Sequence, residues 1–117
     1  MISEATPTEN MVAAAVNKVL VTDARGRVIT VRKLTALNYY QLTKAMGDAG
    51  NISTTMDMAV TAAAVSRIDI TDFAFPSTES DVRMLLQVLD FDGIKAAGEG
   101  LRQLHSKAND GNETAKN

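Results

Sequence analysis

The chain has 117 residues, of which 45% are hydrophobic and 4% aromatic, with no Trp. This suits one small domain whose core is built from Ala, Val, Leu, Ile and Met. Its formal net charge of −2 argues against nucleic-acid binding, because phosphate neutralisation needs a basic face. The absence of Cys excludes disulfides and thiol-based metal or redox chemistry.

The two ends differ in composition from the middle of the chain. Residues 1–10, rich in Thr, Glu and Asn, predict a flexible N-terminus, and residues 107–117 predict a disordered tail. The folded domain is therefore expected to span residues 11–106. The N-terminus lacks the basic segment and apolar core of a signal peptide, and no stretch has the roughly 18 apolar residues that cross a bilayer. We expect a cytoplasmic protein that does not bind a membrane.

The first predicted element is a β-hairpin. Residues 19–22 (VLVT) and 27–32 (RVITVR) are rich in β-branched side chains, as is typical of half-buried strands. The sequence Asp23-Ala24-Arg25-Gly26 between them predicts a type I turn closed by a residue with positive φ. The basic residues around the hairpin are expected to form a solvated rim: Arg25, Arg27, Arg32 and Lys33.

Helical periodicity follows the hairpin. Thr35 predicts the N-cap of a helix over about residues 36–46, which ends at Gly47. A second helix is predicted to be capped by one of residues 53–55 and to carry apolar positions through Ile68. Because few charges interrupt this helix, we expect it to be buried on more than one side, within the domain or against a partner.

The remaining segments predict short extended pieces and two further helices. Ile70 and residues 73–75 are expected to be extended. Thr78 and Asp81 have capping-box spacing for a helix with apolar residues 82, 85, 86 and 89 at i, i+3, i+4 and i+7.

A last helix is predicted from about Asp92 to Ser106, and Gly98 and Gly100 weaken it by about 1 kcal/mol each relative to Ala. The predicted fold is a small α+β domain in which an N-terminal β-hairpin packs on three or four α-helices.

A search for catalytic residues finds only isolated groups. His105 is the single histidine, and no second His or Cys could complete a common metal site with it. The carboxylate pairs Asp69/Asp72 and Asp90/Asp92 sit at element boundaries, where Asp is favoured in turns and caps. A small hydrolase using either pair is an alternative without a positioned partner group to support it. We expect no enzyme, no metal site and no cofactor.

The alternative to catalysis is binding to another protein. Tyr39 and Tyr40 offer large contact areas with polar tips, although the simpler expectation is that Tyr39 packs internally while Tyr40 lies at the edge. The apolar stripes of the helices are expected to be core in part and also to suit a partner helix. The predicted partner-binding residues are Met56, Val60, Leu85, Leu89 and Leu101.

Several short motifs occur in a definite order. The hairpin ends in residues 29–37 (ITVRKLTAL), the first helix ends in residues 44–47 (KAMG), and the Ala-rich helix ends in Ile68-Asp69. A Phe-Pro stop at residues 75–76 precedes the segment 89–96 (LDFDGIKA). In this order, over about residues 19–102, the chain resembles the tail assembly chaperones of long-tailed bacteriophages. It departs from them after Ile68-Asp69, where the family usually has Gly.

The resemblance implies a non-enzymatic assembly factor that acts in the host cell cytoplasm. Such chaperones bind the tape measure protein before the tail tube polymerises around it, keep its apolar surface soluble and help to recruit tail tube protein. They are absent from the mature tail. A homo-oligomer is compatible with this role. The alternative is a structural virion component, such as a minor tail or connector subunit.

Overall fold

The computed structural model describes residues 17–116, with side chains through Ser106. The predicted flexible N-terminus at residues 1–10 and the first part of the predicted domain lie outside the described residues. The predicted disordered tail at residues 107–117 lies beyond the described side chains, and it stays a prediction. The backbone of the last helix is assigned through Lys116.

Four antiparallel strands form one sheet in the order β1-β2-β3-β4. The predicted hairpin is confirmed as β1 (Lys18–Thr22) and β2 (Val28–Arg32). Its turn is closed by Gly26 with a φ of 82°, a backbone conformation that favours glycine. β3 (Val65–Ile68) and β4 (Thr71–Asp72) extend the sheet. The hairpin is therefore one half of a four-stranded sheet, which the sequence did not predict.

The first helix, α1 (Ala36–Met46), has the predicted bounds. Thr35 Oγ1 accepts a hydrogen bond from the Asn38 N–H at 3.1 Å, and Asn38 Oδ1 accepts one from the Thr35 N–H at 3.0 Å. This reciprocal pair fixes the start of the helix. Gly47, with a φ of 58°, ends it and begins a 3₁₀ turn (Gly47–Asn51).

The second helix, α2 (Ser53–Ala63), is shorter than predicted. Its N-cap is Ile52, which makes no side-chain hydrogen bond. The predicted cap at residues 53–55 is therefore wrong. The helix ends before Ile68 because the residues that follow pair with β2, where β-branched side chains fit well. The Arg32 N–H donates to the carbonyl oxygen of Ala64 at 2.8 Å. This hydrogen bond directs the chain from α2 into the sheet.

The third helix, α3 (Glu79–Lys116), joins the last two predicted helices, and its backbone breaks at Asp90 with a φ of 55° and a ψ of −168°. Thr78 Oγ1 accepts from the Asp81 N–H at 3.1 Å, which confirms the predicted cap. The Asp81 carboxylate turns to Ser77 instead and accepts from its backbone N–H and hydroxyl. These hydrogen bonds lower the pKa of Asp81. With three helices and one sheet among residues 17–116, the α+β class is confirmed.

Two apolar clusters form the core. The first lies between the sheet and α3, and the second joins α1, α2 and the start of α3. Leu86 packs against both clusters. The buried members of the first are Ile29, Val31, Ala62, Ala64, Val65, Ile68, Leu85, Leu89, Ala97 and Leu104. Those of the second are Leu42, Met46, Ala59, Ala63 and Val82.

The hairpin turn is fixed to α3 by an ion pair between the buried Asp23 carboxylate and the partly buried Arg27 guanidinium. The Asp23 carboxylate accepts from the backbone N–H groups of Arg25 and Arg27 at 3.0 and 2.9 Å, and from Arg27 Nε at 2.8 Å. The Arg27 guanidinium also donates to the carbonyl oxygens of Val88 and Leu89, both at 2.9 Å. These carbonyls precede the break in α3, where helical hydrogen bonding is interrupted. We call this arrangement the Asp23–Arg27 clamp.

The other hairpin arginines also contact the protein. Arg25 pairs with Asp90 at 3.0 Å and with Asp92 at 3.3 Å. The Arg32 guanidinium donates to the carbonyl oxygen of Ala63, at the end of α2, at 3.0 Å. The expectation of a solvated basic rim is therefore wrong for Arg27 and Arg32, because their guanidinium groups hold helix ends and are partly buried. Arg25 stays exposed and pairs with carboxylates at the surface.

Substitution of Asp23 tests the clamp. We expect Asp23→Asn to lower the free energy of unfolding by about 1.5–3 kcal/mol, because hydrogen bonds to a charged group inside the protein are lost. The matched control is Asp48→Asn at an exposed position of the 3₁₀ turn, which is expected to change it by less than about 0.5 kcal/mol. Urea denaturation near neutral pH measures both. Equal effects of the two substitutions would contradict the clamp.

The clamp also predicts a pH dependence. Burial of the Asp23 carboxylate raises its pKa, but the Arg27 hydrogen bonds and charge outweigh burial and hold the pKa below its ordinary value. A lowered folded-state pKa stabilises the protein above the unfolded pKa of about 3.9, and this stabilisation is lost as the pH falls through the folded pKa. We therefore expect the difference between wild type and Asp23→Asn to shrink in denaturation series below about pH 4.

Two glycines of α3, Gly93 and Gly98, differ in the space around them. A Cβ at Gly93 would lie 2.8 Å from Leu89 Cβ, whereas a Cβ at Gly98 would meet no atom within 4 Å. We expect Gly93→Ala to destabilise the protein by about 1–3 kcal/mol through overpacking. Gly98→Ala is expected to stabilise it by about 0.5–1 kcal/mol through helix propensity. Thermal denaturation checks the opposite signs, and the same sign for both would contradict the packing of α3.

Candidate partner-binding surface

The five predicted partner-binding residues lie in or beside the core. Leu85 and Leu89 are 1% and 0% exposed, because the stripe of α3 faces the domain's own sheet and helices. Their side chains are not accessible to a partner in this structure. Met56 and Val60 are half-buried against the helical cluster, and Leu101 is half-buried against the sheet cluster. The five residues do not form one surface.

Large apolar side chains are exposed elsewhere. Tyr40 and Leu37 on α1 are each 61% exposed. Tyr39 is 42% exposed, so the expectation that it packs internally is wrong. Other exposed apolar side chains are spread over the sheet, the turns and the outer sides of α2 and α3: Leu20, Val28, Ile52, Met58, Ile70, Met84, Val88 and Phe91.

One groove is lined by an exposed tyrosine and a half-buried phenylalanine. It lies between α1 and the segment that leads into α3, and its volume is about 530 Å³. We call it the aromatic groove. It is lined by Tyr40, Gln41, Lys44, Ala45, Phe75, Pro76 and Ser77. Pro76 is fully buried and Phe75 packs against the helical cluster. Phe75 and Pro76 therefore hold the floor of the groove against the core.

Two cations lie over the two aromatic rings of this groove. Lys44 Nζ is 5.6 Å from the centroid of the Tyr40 ring, and Arg32 Cζ is 5.2 Å from that of the Phe75 ring. Both distances suit cation–π attraction. Burial lowers the pKa of Arg32, yet a guanidinium keeps its charge in proteins. Lys44, which lines the groove, therefore places one positive charge beside its aromatic surface, whereas Arg32 lies outside the lining.

This chemistry suits apolar side chains of another protein. Tyr and Phe are frequent anchors of protein interfaces because they bury much area with few rotatable bonds. The spacing of Leu37, Tyr40 and Lys44 places them on one side of α1, opposite Leu42 and Met46 in the core. An amphipathic helix that also carries acidic side chains would match both the apolar lining and Lys44.

The carboxylates considered for hydrolysis have structural partners. Asp69 Oδ1 accepts from the Val28 N–H at 2.9 Å. Asp72 pairs with Arg67 at 3.1 Å, and Asp90 and Asp92 both hold Arg25, as described above. In the described part of the chain, no group of three or more His, Cys, Asp or Glu residues is placed to hold a metal ion. Among the same residues, no helix combines the length and apolar character of a membrane span.

Sequence reasoning missed Phe75 and Lys44 as surface residues. Phe75-Pro76 predicted only the end of an extended piece, and its position beside α1 depends on the tertiary packing of the loop. One signal was available: Tyr40 and Lys44 are separated by four positions, on the side of the predicted helix away from its apolar residues.

The chain matches no protein-family model, and no significant match to it was found among curated proteins or solved structures.

The two aromatic residues of the groove are expected to differ in their effect on stability. Phe75→Ala removes a half-buried ring from the core edge and is expected to lower the free energy of unfolding by about 2–3 kcal/mol. Tyr40→Ala removes an exposed ring and is expected to change it by less than about 0.5 kcal/mol. Urea denaturation measures both. A large loss with Tyr40→Ala would mean that this residue supports the fold and is not a free surface.

Proposed function

We propose that this protein is a phage tail assembly chaperone. In this role it binds the tape measure protein in the host cell cytoplasm, keeps it soluble while the tail tube assembles, helps to recruit tail tube protein and leaves before the tail matures. It acts by binding, without catalysis or cofactor.

The observation that carries the proposal is the ordered resemblance over about residues 19–102. The α+β fold is compatible with it. Additional support comes from the aromatic groove, an exposed and preformed surface of the kind that recognises amphipathic helices. The involvement of the four candidate catalytic carboxylates in ion pairs and backbone contacts gives further support to a binding role.

The aromatic groove is the proposed site for a helix of the tape measure protein. Apolar side chains at i, i+3 or i+4 of that helix would pack between the rings of Tyr40 and Phe75. Acidic side chains beside them would face Lys44. Holding apolar side chains in this groove removes them from water, and this removal is what keeps an apolar helical protein from aggregating.

Co-expression with the tape measure protein of the same phage tests the proposal. We expect a stable complex and more soluble tape measure protein than in its absence. Tyr40→Ala is expected to weaken the complex at least about tenfold, as for an interface anchor. Tyr39→Ala is the matched control, because the neighbouring tyrosine on α1 is turned about 100° away and does not line the groove.

The result separates the proposal from its alternative. Absence of a complex, with no gain in solubility, would overturn the chaperone role. Equal weakening by Tyr39→Ala and Tyr40→Ala would remove the aromatic groove as the site. Mass spectrometry of mature particles addresses the alternative of a minor tail or connector subunit: the chaperone is expected to be missing, whereas a structural subunit would be present in fixed copy number.

A further inference from the structure

A second groove runs along the edge of the sheet, away from the aromatic groove. It lies between the stretch 20–24, in β1 and the hairpin turn, and one face of α3 from Asp92 to Gln103, and its volume is about 530 Å³. We call it the β1 groove. Within residues 17–116, β1 is paired with β2 on one side only.

Among residues 17–116, the backbone groups of β1 that face this groove have no strand to pair with. The Asp23 N–H bonds to Arg27 O, and the Lys33 N–H bonds to Asn17 O. Because hydrogen-bonded and non-hydrogen-bonded pairs alternate along an antiparallel ladder, residues 18, 20 and 22 direct their N–H and C=O groups away from β2. Leu20, at the centre of this row, is 65% exposed. Such an edge is a template for another strand.

The α3 face beside this edge has a charge pattern that complements itself. Asp92, Lys95, Glu99 and Arg102 lie along the groove. If a second α3 runs antiparallel about a centre near residue 97, Lys95 faces Glu99 of the second copy, and Glu99 faces Lys95. The same operation places Asp92 opposite Arg102. A two-fold axis therefore gives four pairs of opposite charge, which a head-to-tail arrangement would not give.

The strand and the helix share this two-fold centre. A Cβ at Gly100 would lie 3.0 Å from Val31 Cγ2 and 3.2 Å from Val19 Cγ1, so this part of α3 sits over both β1 and β2. At the other end, Arg25 in the hairpin turn binds Asp92. Leu20, next to Val19, is therefore alongside the α3 residues just before Gly100, close to the centre of the charge pattern.

The spacing also fits. Strands in a sheet lie about 4.8 Å apart. Two copies of β1 paired at that distance would place the two α3 helices, each seated between β1 and β2, about 9.6 Å apart. Packed helices lie about 8–10 Å apart. Ala96, the small residue near the centre that lines the groove, allows this approach.

We propose that the β1 groove is occupied by a second copy of this chain. The two β1 strands pair antiparallel about Leu20 to form one continuous eight-stranded sheet, and the two α3 helices pack beside each other with Lys95 against Glu99 of the second copy. This inference is independent of the proposed function.

A charge exchange tests the dimer on the full chain. Sedimentation equilibrium across micromolar concentrations is expected to show a particle of about twice the 12.5 kDa chain mass. Lys95→Glu or Glu99→Lys places like charges together at two symmetric contacts and is expected to weaken the dimer about tenfold. The double variant restores opposite charges and is expected to return the affinity to within about threefold of wild type.

The double variant also controls for folding, since Glu99 pairs with Arg102 within one chain and that pair is lost in both Glu99→Lys and the double variant. A monomer at all concentrations would overturn the proposal. So would a dimer that responds equally to the single and double variants, because a simple loss of side chains would then explain the effect.

Amide hydrogen exchange identifies the interface. The N–H groups of Leu20 and Thr22 are expected to become protected as concentration rises, whereas those of Val19 and Val21, which face β2, are protected throughout. Protection of Leu20 and Thr22 that does not depend on concentration would mean that residues 1–16 of the same chain cover the edge, and this result would also overturn the dimer.

Discussion

The fold depends on one charged residue pair placed where it has little contact with water. Asp23 accepts three hydrogen bonds in the hairpin turn, and Arg27 extends from this turn to the carbonyl oxygens of Val88 and Leu89. A guanidinium suits this role because its fixed fork of N–H donors serves a carboxylate and two carbonyls together. The clamp thereby joins the sheet to α3 at the one point where the helix backbone is interrupted.

The position of both grooves follows from this connection. Because α3 is held at its break, its first half packs against α2 and the loop at Phe75, and its second half lies over β1 and β2. The first contact seats the 75–77 stretch, which lines the aromatic groove. The second leaves β1 with β2 as its one neighbouring strand among residues 17–116. Arg32 plays the corresponding part at the other end of β2, where it holds the last turn of α2 and covers the Phe75 ring. The arginines of the hairpin thus position surfaces that lie far from them in sequence.

The local elements were predictable from the sequence to different degrees. The hairpin, the Thr35 cap, the bounds of α1 and the Thr78 cap are confirmed, because each depends on residues within a few positions of one another. β3 was missed because Ala62–Val65 continues a helical pattern, and only the pairing of Val65 and Ile68 with β2 makes this segment a strand. The break at Asp90 was predicted only as a boundary between two helices.

The candidate surface was less predictable than the fold. The stripe containing Leu85 and Leu89 suits a partner helix as well as it suits a core, and sequence periodicity cannot distinguish the two. Tyr39 and Tyr40 were considered as anchors because of their residue type, but neither was among the predicted partner-binding residues. The groove neighbours of Tyr40, namely Phe75 and Lys44, come from separate segments that only the packing of α1 on the 75–77 stretch brings together. Similarly, the role of Asp23 and Arg27 could not be predicted, because it depends on the position of the break in α3.

Hydrogen exchange on the purified complex tests most directly the proposal that the aromatic groove binds a tape measure protein. We expect binding to slow exchange in α1 and in the residues after Phe75, while exchange at the Asp23–Arg27 clamp does not change. Protection confined to other segments, or no protection in a complex of confirmed composition, would contradict it.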